Sequence, residues 1–159
     1  MLQKIRRISY EIFERNFGEK EIFFIGINKS GYALAQLLSD DLNQLVAGQL
    51  KSSVNRIRIR PDNPVAEDIF LEEIEANALV GKNIILVDDV ANTGRTLFYA
   101  FQPLLKIIPG KLEVAVMVDR KHKLFPVSVD YVGISLATTL MENIRVDLSH
   151  PNNMSTTLE

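Results

Sequence analysis

The stretch Ile84-Ile85-Leu86-Val87-Asp88-Asp89-Val90-Ala91-Asn92-Thr93-Gly94-Arg95-Thr96 decides how this chain folds. Its four leading apolar residues lack polar alternation, the mark of a strand covered on both faces. Two carboxylates stand at the strand's carboxyl end, then small and hydroxyl residues, and a helical pattern starts at about Thr96. Open α/β sheets bind ligands at the carboxyl ends of their strands. A helix start carries unpaired N–H groups and partial positive charge, which attract phosphate. Carboxylates beside a phosphate cradle suit a ligand that also carries hydroxyls or a divalent metal, such as a sugar phosphate. Helix capping by Thr and Asn alone would not call for two carboxylates together with a Thr-Gly-Arg-Thr run.

Outward from this centre, strands and helices alternate. Leu2, Ile5, Ile8 and Ile12 recur at helical spacing and predict an amphipathic first helix ending near Phe17-Gly18, with Gly18 as its C-cap. Glu21 to Ile27 reads as a buried strand, Tyr32 to Leu42 as a helix, and residues 45 to 60 as one or two strands. Residues 61 to 79 are acidic and read as a loop or short helix. A helix continues from Thr96 through Leu105, kinked at Pro103. Val114 to Val118 and Tyr131 to Ile134 are further strands. The pattern predicts an α/β fold, a mostly parallel twisted sheet with helices on both faces, in a single domain over residues 1–150. The polar tail 151–159 is expected to fray.

A second anion-binding candidate follows the first strand. Asn28-Lys29-Ser30-Gly31 offers a lysine, a hydroxyl and free amides at a helix start. In Arg56-Ile57-Arg58-Ile59-Arg60, strand geometry would place three guanidiniums on one side and two isoleucines on the other. Such a run protects an edge strand from aggregation, or meets an anion or a second subunit.

Composition narrows the function classes. The 159 residues are 47% hydrophobic, enough for one domain with a real core. The absence of cysteine excludes disulfides, thiolate metal sites and a Cys nucleophile. His122 and His150 are too few for a histidine metal site. No apolar run is long enough to span a membrane and the first residues lack a signal-peptide stretch, so a cytoplasmic protein is expected. The net charge of −2 gives no overall attraction for nucleic acid.

The stretch around Asp88 closely resembles the phosphoribosyl pyrophosphate (PRPP) motif of type I phosphoribosyltransferases. The resemblance implies that Asp88 and Asp89 hold the ribose hydroxyls and, with Lys29, form the catalytic set. It implies that Ala91, Asn92, Thr93, Gly94, Arg95 and Thr96 wrap the 5′-phosphate. Asn28, Lys29, Ser30 and Gly31 look like that family's pyrophosphate loop, which implies a cis peptide between Asn28 and Lys29. Magnesium would arrive with PRPP, without dedicated protein ligands.

Over most of its length the chain resembles the pyrimidine-operon attenuation regulators that double as uracil phosphoribosyltransferases. The segments that carry this are Arg7-Ile8-Ser9-Tyr10-Glu11-Ile12-Phe13-Glu14-Arg15-Asn16, Val116-Met117-Val118-Asp119-Arg120-Lys121-His122-Lys123-Leu124-Phe125-Pro126 and Asp130-Tyr131-Val132-Gly133. The last is similar to a small hood segment that meets the base, which implies that Tyr131 stacks on a pyrimidine while Val132 reads its polar edge; a core aromatic is the competing reading. A homodimer or higher homo-oligomer is implied as well. RNA is the regulators' partner, bound through basic residues. Residues 134 to 143 here contain no Lys or Arg, which argues against RNA, and Arg7, Arg15, Lys121, His122 and Lys123 remain as a thin footprint. Purine enzymes carry an aspartate where this chain has Asn92, which ranks uracil above hypoxanthine or guanine as the accepted base.

Overall fold

In a computed structural model, which describes residues 1–137, 143–150 and 153–158, five parallel strands form one sheet. They are β1 (Glu21–Ile27), β2 (Lys51–Ile57), β3 (Asn83–Ala91), β4 (Lys111–Arg120) and β5 (Tyr131–Leu136), in the spatial order β2-β1-β3-β4-β5. The period of two along each strand divides the core between the faces. Ile22, Phe24, Ile85 and Val87 point toward α1 (Leu2–Arg15) and α2 (Asn28–Val46). Phe23, Ile25, Ile27, Ile84 and Leu86 point to the other face, with Leu97 and Ala100 of α3 (Arg95–Ala100) and with Ile59, Ile69 and Leu79 of the long connection after β2. This is the predicted architecture, and its all-parallel order leaves every strand's carboxyl end on one side of the molecule.

Several boundaries differ from the expectations, each for a local reason. The first helix buries Ile5, Ile8 and Ile12 as expected but closes at Asn16, whose side-chain amide donates to the Ile12 carbonyl at 2.8 Å. Gly18 then turns the chain at φ 87°. α2 begins at Asn28, not Tyr32, so the predicted turn is the helix's own first turn. The expected cis bond between Asn28 and Lys29 is absent, as no cis peptide occurs among the described residues. The sharp entry is made by Asn28 at φ 52°, a conformation that asparagine tolerates. α3 stops at Ala100, and a 3-10 turn over Gln102–Lys106 follows, because Pro103 has no N–H to continue an α ladder.

β6 (Ile144–Asp147) and β7 (Ser155–Leu158) pair antiparallel as a separate ribbon that the sequence reading did not foresee. Residues 155–158 were expected to fray with the rest of the tail. They are held because β6 lies against the main body through Ile144 and Val146, with Met154 beside them. The stretch argued to lack RNA-binding residues is described only over 134–137 and at 143; residues 138–142, like 151, 152 and 159, lie outside the described residues.

Candidate functional site at the strand ends

The register fixes how the two candidate loops meet. Gly26 pairs with Val87, so β1 ends at the level where β3 presents Asp88 and Asp89. Gly31 then brings the first turn of α2 onto β3. A Cβ there would lie 2.5 Å from the Val87 carbonyl oxygen, 3.2 Å from Asp88 Cα and 3.4 Å from Asp88 Oδ1. Only a residue without a side chain allows this approach. Lys29 is exposed, Asn28 and Ser30 half-buried, and α2 has no side-chain cap on its first amides.

Asp88 is buried, and its Oδ1 accepts the Asp89 amide at 2.9 Å. Asp89 is half-buried, and its Oδ1 accepts the Val90 amide at 2.9 Å. Burial pushes the Asp88 carboxyl well above the usual carboxylate range, and the negative charge of Asp89 adds to the effect. A strand end built this way favours a ligand that brings hydroxyls or positive charge to the pair.

Beyond it, Asp88 and residues 90–97 line a cavity of about 50 Å³. Gly94 turns the loop at φ 82°. The Arg95 amide is taken by Thr93 Oγ1 at 3.3 Å, and Gly94 O accepts the Phe98 amide at 2.9 Å. The amides of Asn92, Thr93, Gly94 and Thr96 meet no group of the chain among the described residues. α3 has only six residues, so the attraction for an anion rests on these loop amides rather than on a helix dipole. The Arg95 guanidinium donates to the Pro61 carbonyl at 2.6 Å.

Three features escaped the sequence reading. The Asn28 side chain pairs with the backbone of Ile59 through two 2.9 Å hydrogen bonds, donating to its carbonyl and accepting its amide. The loop after β1 is thereby tied to the arginine strip. Of its arginines only Arg56 lies within β2, which ends at Ile57; Ile57 and Ile59 are buried on one side, while Arg56 and Arg58 both reach Glu72. β2 is the sheet's edge, and the chain returns along it, with Ile57 bridged to Leu71 and the Glu72 amide on the Arg56 carbonyl. The third feature is the Thr93 carbonyl, which accepts the amides of both Leu124 (2.9 Å) and Phe125 (3.1 Å). An asparagine ending a strand before a helix was a signal for a left-handed turn; its distant partner, and the partners of Glu72 and Thr93, left none.

The stacking role expected of Tyr131 does not survive. Tyr131 is fully buried at the start of β5, level with Ala115. Its hydroxyl donates to Glu113 Oε2 at 3.0 Å and lies 3.4 Å from the Asn16 amide, with the Arg15 guanidinium 5.1 Å above the ring. Burial, and then the Glu113 charge, push its acidity down to a far higher pKa than a free phenol. Tyr131 is a core residue facing α1, as the competing reading had it. The Val132 and Gly133 carbonyls each accept the Arg7 guanidinium, at 2.9 and 2.7 Å.

Comparison with known proteins agrees with this fold. The family model described as phosphoribosyl transferase domain matches residues 1–152. A bifunctional protein PyrR of Enterococcus faecalis is 36% identical over 153 residues, 93% of this chain and 85% of that protein. A protein of the same name from Streptococcus equi subsp. zooepidemicus is 38% identical over 152 residues, with the same coverage. A pyrimidine operon regulatory protein of Lactococcus lactis is 37% identical over 158 residues, 98% and 90% of the two chains. Among solved structures, a hypoxanthine-guanine phosphoribosyltransferase from Bacillus anthracis superposes with a TM-score of 0.69 at 21% identity, over 85% of this chain and 76% of that one, a likeness of fold. With a parallel sheet that joins two anion-ready loops beside paired aspartates, and a family match along nearly its whole length, the chain belongs to the phosphoribosyltransferase family.

Proposed function

We propose that the protein transfers the phosphoribosyl group of PRPP to a nucleobase, uracil being the favoured acceptor, with release of pyrophosphate. The observation that carries this reading is the Gly31 contact, which sets the first turn of α2 against Asp88, on the strand that leads into the unpartnered amides of 92–94. In this arrangement the amides of 92–94 and 96 and the hydroxyls of Thr93 and Thr96 take the 5′-phosphate. Asp88 and Asp89 take the ribose hydroxyls. Lys29 and the first amides of α2 take the pyrophosphate.

The C1′–oxygen bond breaks with its electron pair leaving on pyrophosphate, and positive charge builds on the ribose ring. That charge favours the ionised form of Asp88, which burial alone disfavours. A ring nitrogen of the base attacks C1′ and its proton leaves to water. Lys29 offsets the developing negative charge on the leaving group. Magnesium is read as part of the donor, PRPP being used as its magnesium complex. Such an ion is held mainly by phosphate and ribose oxygens and water, and supplies charge neutralisation; the adjacent Asp88 and Asp89 carboxylates suit its hydroxyl-bearing end. The fold's contribution is positioning.

Asn92 supports uracil over a purine, because an amide cannot accept a proton near neutral pH. The relatives' names favour a pyrimidine-linked role, and two of those named are called bifunctional. A regulator that binds RNA is the second reading. Of the basic footprint, Lys121 and His122 are exposed, whereas Arg7 holds the Val132 and Gly133 carbonyls, Arg15 covers Tyr131, and Lys123 pairs with Asp119, which leaves little for RNA. Purified protein with magnesium and PRPP, offered uracil, hypoxanthine, guanine and xanthine in turn, tests the proposal through pyrophosphate release. Uracil should give the highest turnover, and Asp88→Asn/Asp89→Asn should abolish it with the fold retained. Undiminished turnover in that double variant refutes the assignment.

A further inference from the structure

Each of β1 and β3 leads directly into a helix at its carboxyl end, but β4 does not. Residues 121–130 after it run as irregular chain, and part of that chain lies against the outer side of the loop 91–96. Leu124 and Phe125 both donate their amides to the Thr93 carbonyl. The Phe125 ring packs on Phe98 and Tyr99 of α3, with centroids 5.6 and 6.2 Å apart. Between these contacts sits Lys123. Its ammonium is held by Asp119 Oδ1 at 2.5 Å and by the Arg120 carbonyl at 3.1 Å, and the two side chains are only 11% and 15% exposed. Its methylenes continue to the Gly94 corner, where an added Cβ would meet Lys123 Cδ at 3.3 Å.

A lysine with so little exposure, whose charge is neutralised by its own strand end, is not free to meet a ligand. Its stem has another use. The loop amides can hold an anion only if Gly94 stays at φ 82°, which turns the backbone between Thr93 and Thr96. The loop makes few bonds of its own, so that angle must be imposed from outside. We infer that Lys123 is a positioning residue for the phosphate loop: its methylene stem fills the space behind Gly94 and its ammonium, clamped by Asp119, keeps the stem there. The inference rests on the proposed phosphate-binding role of loop 91–96. Preorganised amides bind an anion without first paying for their own ordering, so the effect belongs to donor affinity rather than to the chemical step.

The test compares variants that differ only in the filler. Lys123→Met/Asp119→Asn removes both charges and keeps a stem of similar length; Lys123→Ala/Asp119→Asn removes both charges and the stem. Ribose 5-phosphate and inorganic phosphate are titrated calorimetrically into each folded protein well below its melting temperature. KM and kcat for PRPP are measured in parallel. The stem-deleted variant should bind ribose 5-phosphate roughly tenfold more weakly, with KM raised in step and kcat within about twofold. The methionine variant and Lys123→Arg should stay within about threefold of the parent protein. If the stem-deleted protein does not fold, Lys123→Val/Asp119→Asn is read in its place against the same limits. Equal affinities in the stem-deleted and methionine variants, or a loss confined to kcat, overturn the inference while leaving the proposed function standing. Failure of the parent protein to bind either phosphate overturns both.

Discussion

Replacing Gly31 by alanine should show how far the site depends on the approach of α2 to β3. The new Cβ would stand 2.5 Å from the Val87 carbonyl oxygen, whereas ordinary contact begins near 3.5 Å, so backbone must move by about 1 Å. Neither partner is a flexible side-chain end: one is the first turn of a helix and the other a central strand paired on both sides. Overpacking of this kind costs about 1–3 kcal/mol. For a chain of 159 residues that corresponds to a fall in Tm of roughly 4–8 °C for a 2 kcal/mol loss. The functional loss should be larger than the stability loss suggests. The retreating helix carries Lys29 and the loop amides away from Asp88, and a 1 Å error in position can lower a rate by about a hundredfold. Thermal melts followed by circular dichroism, with pyrophosphate release from PRPP and uracil in the same buffer, read both quantities. An alanine variant with activity within twofold and an unchanged Tm would refute the claim that this contact holds the two loops together.

Asp88→Asn should stabilise the unliganded protein in a pH-dependent way. Because the folded carboxyl titrates above the usual value of 3.8, the folded state binds more protons than the unfolded one, and stability falls as pH rises above that value. The variant lacks this fall, so its advantage in Tm should grow from about pH 4 upward and level off past the folded pKa; a constant difference across melts at several pH values would contradict the burial argument. Tyr131→Phe should cost about 2 kcal/mol, since it strips the buried Glu113 carboxylate of a 3.0 Å hydroxyl donor, and leave KM for the base unchanged. A raised KM with unaltered stability, in denaturant titrations run beside the assay, would return Tyr131 to the base site. Asn28→Ala deletes both hydrogen bonds to Ile59 at about 1 kcal/mol each and leaves alanine at φ 52°, for a total near 3 kcal/mol. Asn28→Gly should recover the strain portion, and equal losses in the two would refute it.

The site was legible where its chemistry is written in contiguous residues. The apolar run before Asp88, the paired carboxylates and the small residues after them announced the strand, its end and its loop, and the loop after β1 followed by the same logic. What sequence could not show is contact between distant residues. Asn28 and Ile59 are 31 positions apart, and nothing local says that an amide at a strand end will meet backbone rather than ligand. Tyr131 illustrates an ambiguity of residue type: an aromatic at a strand start fits a core and a base platform equally, and only its burial against Glu113 and Asn16 decides. The β6–β7 ribbon was missed because its strands are short and the second is polar, so neither carries a periodic signal of its own.

The returning chain beside β2 also bears on how this protein behaves in crowded or damaged states. By bridging at Ile57 and Leu71 and fastening Glu72 to two guanidiniums, the segment acts as a built-in cover for a row of backbone donors and acceptors that could otherwise recruit a foreign strand. A single proteolytic nick between residues 61 and 68 would loosen that cover without touching the candidate site at the strand ends. Self-association would then begin at the sheet's margin while the ligand pocket was still intact.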